Sequence, residues 1–197
     1  MCEKNSCTVY INRINSTLST LAELQDILYC NYSLNKSTEV CSSVKIKDQD
    51  VIIITSWDTA YNPCLQDKDN VIYLIQDYEP YFYSMGSQYL KAKQTYTNNY
   101  NSLTIGKWLC KRISLESEGN VAYFNCGVDN KIYKRITEIK KEDAICAILQ
   151  PDKPRRCGQL LIEALNIVYK YNPKIKIYLY GTTKETFYNN SDLMDLI

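Results

Sequence analysis

The chain has 197 residues, a 45% hydrophobic fraction, and 23 Lys and Arg against 22 Asp and Glu, for a net charge of +1. That is enough apolar material for one large domain or two small ones, and too little clustered positive charge for a nucleic-acid binder that works through a basic face. Nine cysteines and no histidine exclude a Ser-His-Asp triad, a Cys-His pair and a His-ligated metal, and the cysteine spacing contains no CxxC pair of the kind zinc and thioredoxin-like sites use.

Residues 14 to 29, INSTLSTLAELQDILY, place Leu18, Leu21, Leu24, Ile27 and Leu28 at helical spacing, with Ser16, Thr17 or Ser19 as candidate caps. Residues 32 to 48 read as a polar connection. DVIIITSW (50 to 57) and NVIYLIQD (70 to 77) are short, continuous, β-branched apolar runs, the pattern of buried parallel strands. SQYLKAKQTYTNN (87 to 99) fits a helix. NSLTIGKWLCKRI (101 to 113) fits a short strand, a Gly turn and a helix, and NVAYFNCGVD (120 to 129) fits a strand ending in a turn. A charged stretch at about 131 to 143 is the expected linker. After it, residues 144 to 182 read as a βαβ unit. Its strand is Ala144 to Leu149, and its helix turns Leu160, Leu161, Ala164, Leu165 and Val168 to one face. Such a unit implies a parallel sheet with a right-handed crossover. The expected fold class is α/β with Rossmann-like parallel sheets, in two lobes, 1–135 and 136–197.

Ligands of open parallel sheets bind beyond the carboxyl ends of the strands. Three polar clusters fall there: SWDTAY, QDYEPYFY and QPDKPRRCG. In the last, Lys153, Arg155 and Arg156 precede a helix, where guanidinium forks and free N–H groups together favour a diphosphate. An exposed basic loop serving solubility is the plain alternative. Asp77 and Glu79 are two residues apart. On an extended segment they point the same way, either as a base or as partners of hydroxyl groups; a turn with Pro80 ending the strand and the tyrosines packing on the surface is the plain alternative. Trp57 is either a stacking platform or a core residue. The excess of 18 Tyr over 3 Phe fits a surface that meets polar rings, or a compositional bias. The cysteines are expected as reduced packing residues of a cytoplasmic protein, since no signal peptide and no membrane-length apolar run is visible.

The segments TSWDTAY, IYLIQDYEPYFYSMGSQYLKAKQTY, TIGKWL, GVDNKIYK and QPDKPRRCGQLLIEALNI, in that order, resemble GT-B glycosyltransferases of family 4 over roughly residues 50 to 182. The resemblance is to the rhamnosyltransferase-like group acting on bacterial cell-surface glycans. It implies an N-terminal acceptor lobe, a C-terminal nucleotide-sugar lobe and sugar transfer with retention. The donor would be dTDP-rhamnose or similar, with no essential metal and no further cofactor. Carried onto this chain, Asp77 and Glu79 are the catalytic candidates. With them, Tyr78, Tyr81 and Tyr83 lie on the acceptor side, and Arg155 and Arg156 match the pair expected near the donor diphosphate; Trp57 and Lys153 join these two sets as candidates from their own positions in the sequence. The chain departs from the pattern at Gln150, where an Arg is expected, and at Cys157-Gly158-Gln159, where Gly-Phe-Glu is expected. Its donor lobe reads as incomplete, which makes a partner chain that completes it one expectation. A non-catalytic glycan-binding or assembly module is the alternative. A lipid-linked acceptor would bring the protein to the inner membrane face without an anchor.

Overall fold

The computed structural model describes residues 6–12, 20–32 and 34–183. The chain divides into two compact units, Met1–Gly127 and Val128–Ile197. Both are built from parallel strands joined through helices, a mixed α/β architecture consistent with a Rossmann-like fold.

In the first unit, β1 (Thr8–Ile11) pairs in parallel with β2 (Glu39–Ser42), and α1 (Leu21–Asn31) lies between them in sequence. The cap of α1 is Thr20, not one of the three hydroxyls expected. Its side chain accepts from Glu23 N while Thr20 N donates to Glu23 Oε2, closing a capping box. Ser16, Thr17, Leu18 and Ser19 lie outside the described residues. The 32–48 stretch is more than a connection, because it holds β2. That strand is four residues long and buries only Val40, so its pattern is too short to stand out.

The main sheet has the order β3 (Ile52–Ile54), β4 (Val71–Ile75), β5 (Asn101–Ile105) and β6 (Val121–Phe124), all parallel. Between β4 and β5 run a 3-10 turn at Glu79–Phe82, α2 (Ser87–Gln94) and a second 3-10 turn at Thr95–Thr97. The stretch read as one helix over 87 to 99 therefore tightens after Gln94. Between β5 and β6 runs α3 (Lys107–Ser114), entered through Gly106 at φ +80°, a conformation that glycine adopts without steric cost. Along β4 every second residue is buried: Val71, Tyr73 and Ile75. These join Ile52, Ile54, Leu65, Tyr78, Tyr96, Leu109 and Ile113 in one core. The opposite face of the sheet is more open, with Ile53 at 56% exposure.

In the second unit, β7 (Ala144–Ile148) pairs in parallel with β8 (Lys176–Tyr180) across α4 (Gly158–Tyr171), which is the βαβ unit the pattern announced. The inner face of α4 differs from the expected one. Ile162 and Leu165 are buried and Leu161 packs beside them, whereas Leu160 is 64% exposed and Ala164 faces outward. Three consecutive apolar residues, Leu160 to Ile162, leave a helical stripe ambiguous by one position, and the packing onto Leu149 selects Ile162. Residues 129 to 143 contain no helix or strand, and all are exposed. The eight described cysteines are free thiols, and Cys7, Cys30, Cys126, Cys146 and Cys157 are exposed instead of packed. No helix among the described residues is long and apolar enough to cross a membrane.

Candidate binding cleft at the ends of β3 and β4

Parallel pairing of Ile54 with Tyr73 brings the carboxyl ends of β3 and β4 side by side. Beyond them, two of the three polar clusters meet. The turn after β3 is closed by local bonds: Thr59 Oγ1 donates to the Ser56 carbonyl at 2.5 Å, and Ser56 Oγ donates to Asp58 Oδ1. The segment after β4 does not stay extended, as the alternation argument required. Pro80 sits in the first turn of the 3-10 helix at Glu79–Phe82, where its fixed φ suits helical entry. Asp77 and Glu79 consequently part. Asp77 Oδ1 accepts from the Tyr78 N–H at 2.8 Å, while Glu79 turns inward and is only 5% exposed.

A cleft of about 370 Å³ opens between these segments and α2, with Trp57, Asp58, Glu79, Tyr83, Gln88 and Lys91 among its lining residues. Glu79 Oε2 accepts from the Trp57 N–H at 2.7 Å and from the Tyr73 hydroxyl at 2.8 Å. Its own N–H donates to the Tyr96 hydroxyl at 3.1 Å. Burial raises the Glu79 carboxyl above the ordinary glutamate range. The hydrogen bonds from Tyr73 and Trp57 pull the other way, and the charges of Asp58 and Asp77 add to the rise. Burial likewise pushes the Tyr73 and Tyr96 phenols far up. Trp57 is half-buried. Its Nε1 donates to the Tyr83 hydroxyl at 3.0 Å, and the two rings meet edge to face at 5.9 Å and 85°. Tyr61 packs behind Trp57: it stands edge-on to it at 6.2 Å, and its hydroxyl donates to the Lys91 carbonyl at 2.9 Å.

Within the first unit the structure joins Trp57, Glu79 and Tyr83 at the cleft and leaves Asp77, Tyr78 and Tyr81 out of its lining. Tyr78 is 0% exposed and offers no surface to a ligand. Its hydroxyl donates to Glu116 at 2.9 Å and accepts from Arg112 Nη2 at 3.2 Å, with the guanidinium 4.8 Å from its ring centre. Burial, ahead of these partners, pushes the Tyr78 phenol up to about 12. Tyr81 is half-exposed and packs edge-on against Tyr78 at 4.7 Å, but neither it nor Asp77 lines the cleft.

Three positions were not singled out from the sequence. Gln88 and Lys91 reach the cleft from α2. Asn12 follows β1: its Nδ2 donates to the Asp58 carbonyl at 3.3 Å, and its Oδ1 accepts from Ser43 Oγ and Asn62 Nδ2, each at 3.2 Å. It ties the ends of β1 and β2 to the turn after β3. A short strand followed by a lone Asn was the only available signal.

In the second unit, Lys153, Arg155 and Arg156 are exposed on the loop after β7, around a 3-10 turn at Pro154–Arg156. Cys157, in the left-handed region at φ 51°, ends that turn, and α4 starts without a side-chain cap. Gln150 Oε1, at the base of this loop, is buried with no hydrogen-bond donor among the described residues.

Residues 11–107 match the family model for the N-terminal domain of WsaF, a glycosyltransferase-associated domain. None of the curated proteins compared with the chain matches it. The matched segment includes every lining residue named for the cleft and ends before the second unit begins. The match supports a glycosyltransferase-like protein.

Proposed function

We propose that the chain is part of a glycosyltransferase that moves a rhamnose-like sugar from a nucleotide-sugar to a cell-surface glycan, and that the cleft beside Trp57 receives the acceptor. The observation that carries this reading is the pairing of Trp57 with Tyr83 at the mouth of two parallel strands, with Asp58 and Glu79 beside them, inside the matched segment. A sugar ring has an apolar face that packs on an aromatic and hydroxyls that donate to carboxylates. Tyr81 is exposed on the same turn but outside the lining of the cleft, so it is assigned no part in acceptor binding. Lys153, Arg155 and Arg156 would hold the donor diphosphate through charge-assisted bonds at the entry of α4. Transfer would proceed with retention and without a metal, and a lipid-linked acceptor would place the protein at the inner membrane face.

A second reading is favoured by one observation: the match stops at residue 107, short of the basic loop. On that reading the chain is a glycan-binding module that does not use a donor, or one that a partner chain completes. Calorimetric titration with dTDP, with UDP and with a rhamnose oligosaccharide separates the two. Saturable nucleotide binding that is lost in Arg155→Ala/Arg156→Ala supports the transferase. Oligosaccharide binding without nucleotide binding supports the module. Binding of neither contradicts both.

A further inference from the structure

Trp57 is held at two points by the two ends of one short turn. Glu79, at the start of the 3-10 helix, accepts from the Trp57 main-chain N–H at 2.7 Å. Tyr83, at its end, accepts from the indole Nε1 at 3.0 Å. The turn between them is stiffened by Pro80 and anchored from beneath, where the Tyr73 hydroxyl reaches the same Glu79 oxygen and the Tyr96 hydroxyl reaches the Glu79 N–H. Tyr73 is in turn within 3.4 Å of Thr95 Oγ1. Trp57 is half-exposed, and its ring contacts with Tyr61 and Tyr83 are edge to face.

We infer that Glu79 is a positioning residue: its carboxylate holds the Trp57 main chain while Tyr83, at the other end of the same turn, holds the indole, so that the two together keep the indole at the cleft. That a sugar is what the indole meets rests on the function proposed above; the clamp itself does not.

A carboxylate is the better acceptor because hydrogen bonds to a charged group are stronger than those to a neutral one. Uptake of a proton by Glu79 weakens the hold on Trp57. The groups facing Glu79 come from each element around it. Asp58 lies on the turn after β3, and Asp77 precedes the 3-10 turn. The Tyr73 phenol comes from β4 and the Tyr96 phenol from the second 3-10 turn, and Lys91 lies across the cleft on α2. Asp58 and Asp77 raise its proton affinity, in the same direction as burial.

The test uses the full chain with Trp108→Phe, which leaves Trp57 as the sole indole, since the sequence has two Trp. Trp108 is exposed on α3 and does not line the cleft. Trp57 emission and near-ultraviolet dichroism are followed against pH without ligand. The expected result is a midpoint above the ordinary glutamate range that is lost in Glu79→Gln and kept in Asp58→Asn and Asp77→Asn. Acrylamide quenching of Trp57 at neutral pH is expected to rise most in Glu79→Ala and less in Glu79→Gln, which keeps an acceptor without the charge. A midpoint that survives Glu79→Gln, or quenching unchanged in a folded Glu79→Ala, overturns the proposal. If Glu79→Ala fails to fold, the pH arm with Glu79→Gln decides alone. Because no glycan is present, the outcome is separate from whether the cleft binds one, which a titration of the same variants with a rhamnose disaccharide reads.

Discussion

At Glu79, two donors from different segments share one carboxylate oxygen. Removing it in Glu79→Ala leaves the Trp57 N–H and the Tyr73 hydroxyl without that acceptor, at a cost of about 1–3 kcal/mol for each donor left buried. Urea unfolding at neutral pH measures the sum. Glu79→Gln keeps the shape and an acceptor but removes the charge, and its signature is pH dependence. The folded-state proton affinity of Glu79 is raised. Between the ordinary glutamate value and that raised value, the folded protein binds more protons than the unfolded one. The contribution of Glu79 is therefore fully present at low pH and is lost as pH rises through the folded value. Comparison of the two proteins by denaturant unfolding across this window should show the parent gaining stability relative to Glu79→Gln as pH falls. Tyr78→Phe removes the hydroxyl that joins Arg112 and Glu116, while the Arg112–Glu116 contact at 2.7 Å remains. Thermal unfolding of that variant should show a loss of about 1 kcal/mol, with glycan binding unaffected because Tyr78 is enclosed.

Among the elements, those with long apolar runs were legible. VIIIT and VIYLI are β-branched runs of strand length, and each became a strand, although β3 at the sheet edge leaves Ile53 exposed. The β5–Gly106–α3 sequence was equally plain, because glycine marks the turn. β1 and β2 were not legible: four-residue strands in a two-stranded sheet leave too little periodicity. The helix cap was misplaced for a related reason. A run of hydroxylated residues offers several caps, and the choice of Thr20 depends on its distance to Glu23, three residues on. At the site, the residue types were legible but the inward turn at Glu79 was not. An acidic residue before a proline reads as an exposed turn, and its burial comes from Tyr73 and Tyr96, which arrive from β4 and from the turn after α2. Two substitutions test these elements. Thr20→Ala dissolves the capping box and should lower stability by about 1 kcal/mol in denaturant unfolding. Gly119→Ala would set a Cβ 2.4 Å from the Tyr100 carbonyl oxygen, so the backbone leading into β6 must shift, with an expected loss of about 1–3 kcal/mol.

For the whole molecule, the proposed function assigns different chemistry to the two units. The first holds the aromatic cleft within the segment that matches the WsaF N-terminal domain, and the second holds the basic loop at the head of α4. Arg155→Ala/Arg156→Ala should abolish nucleotide-diphosphate binding, since each charge-assisted bond contributes about 1.5–3 kcal/mol, and should leave glycan binding unchanged. Trp57→Ala should do the reverse. The most direct measurement is a calorimetric titration of the 197-residue chain and of Trp57→Ala with a rhamnose oligosaccharide. The account predicts saturable binding by the parent and an affinity lower by about tenfold or more, roughly 1.4 kcal/mol, in the variant. Equal binding by the two proteins, or none by the parent, would contradict it.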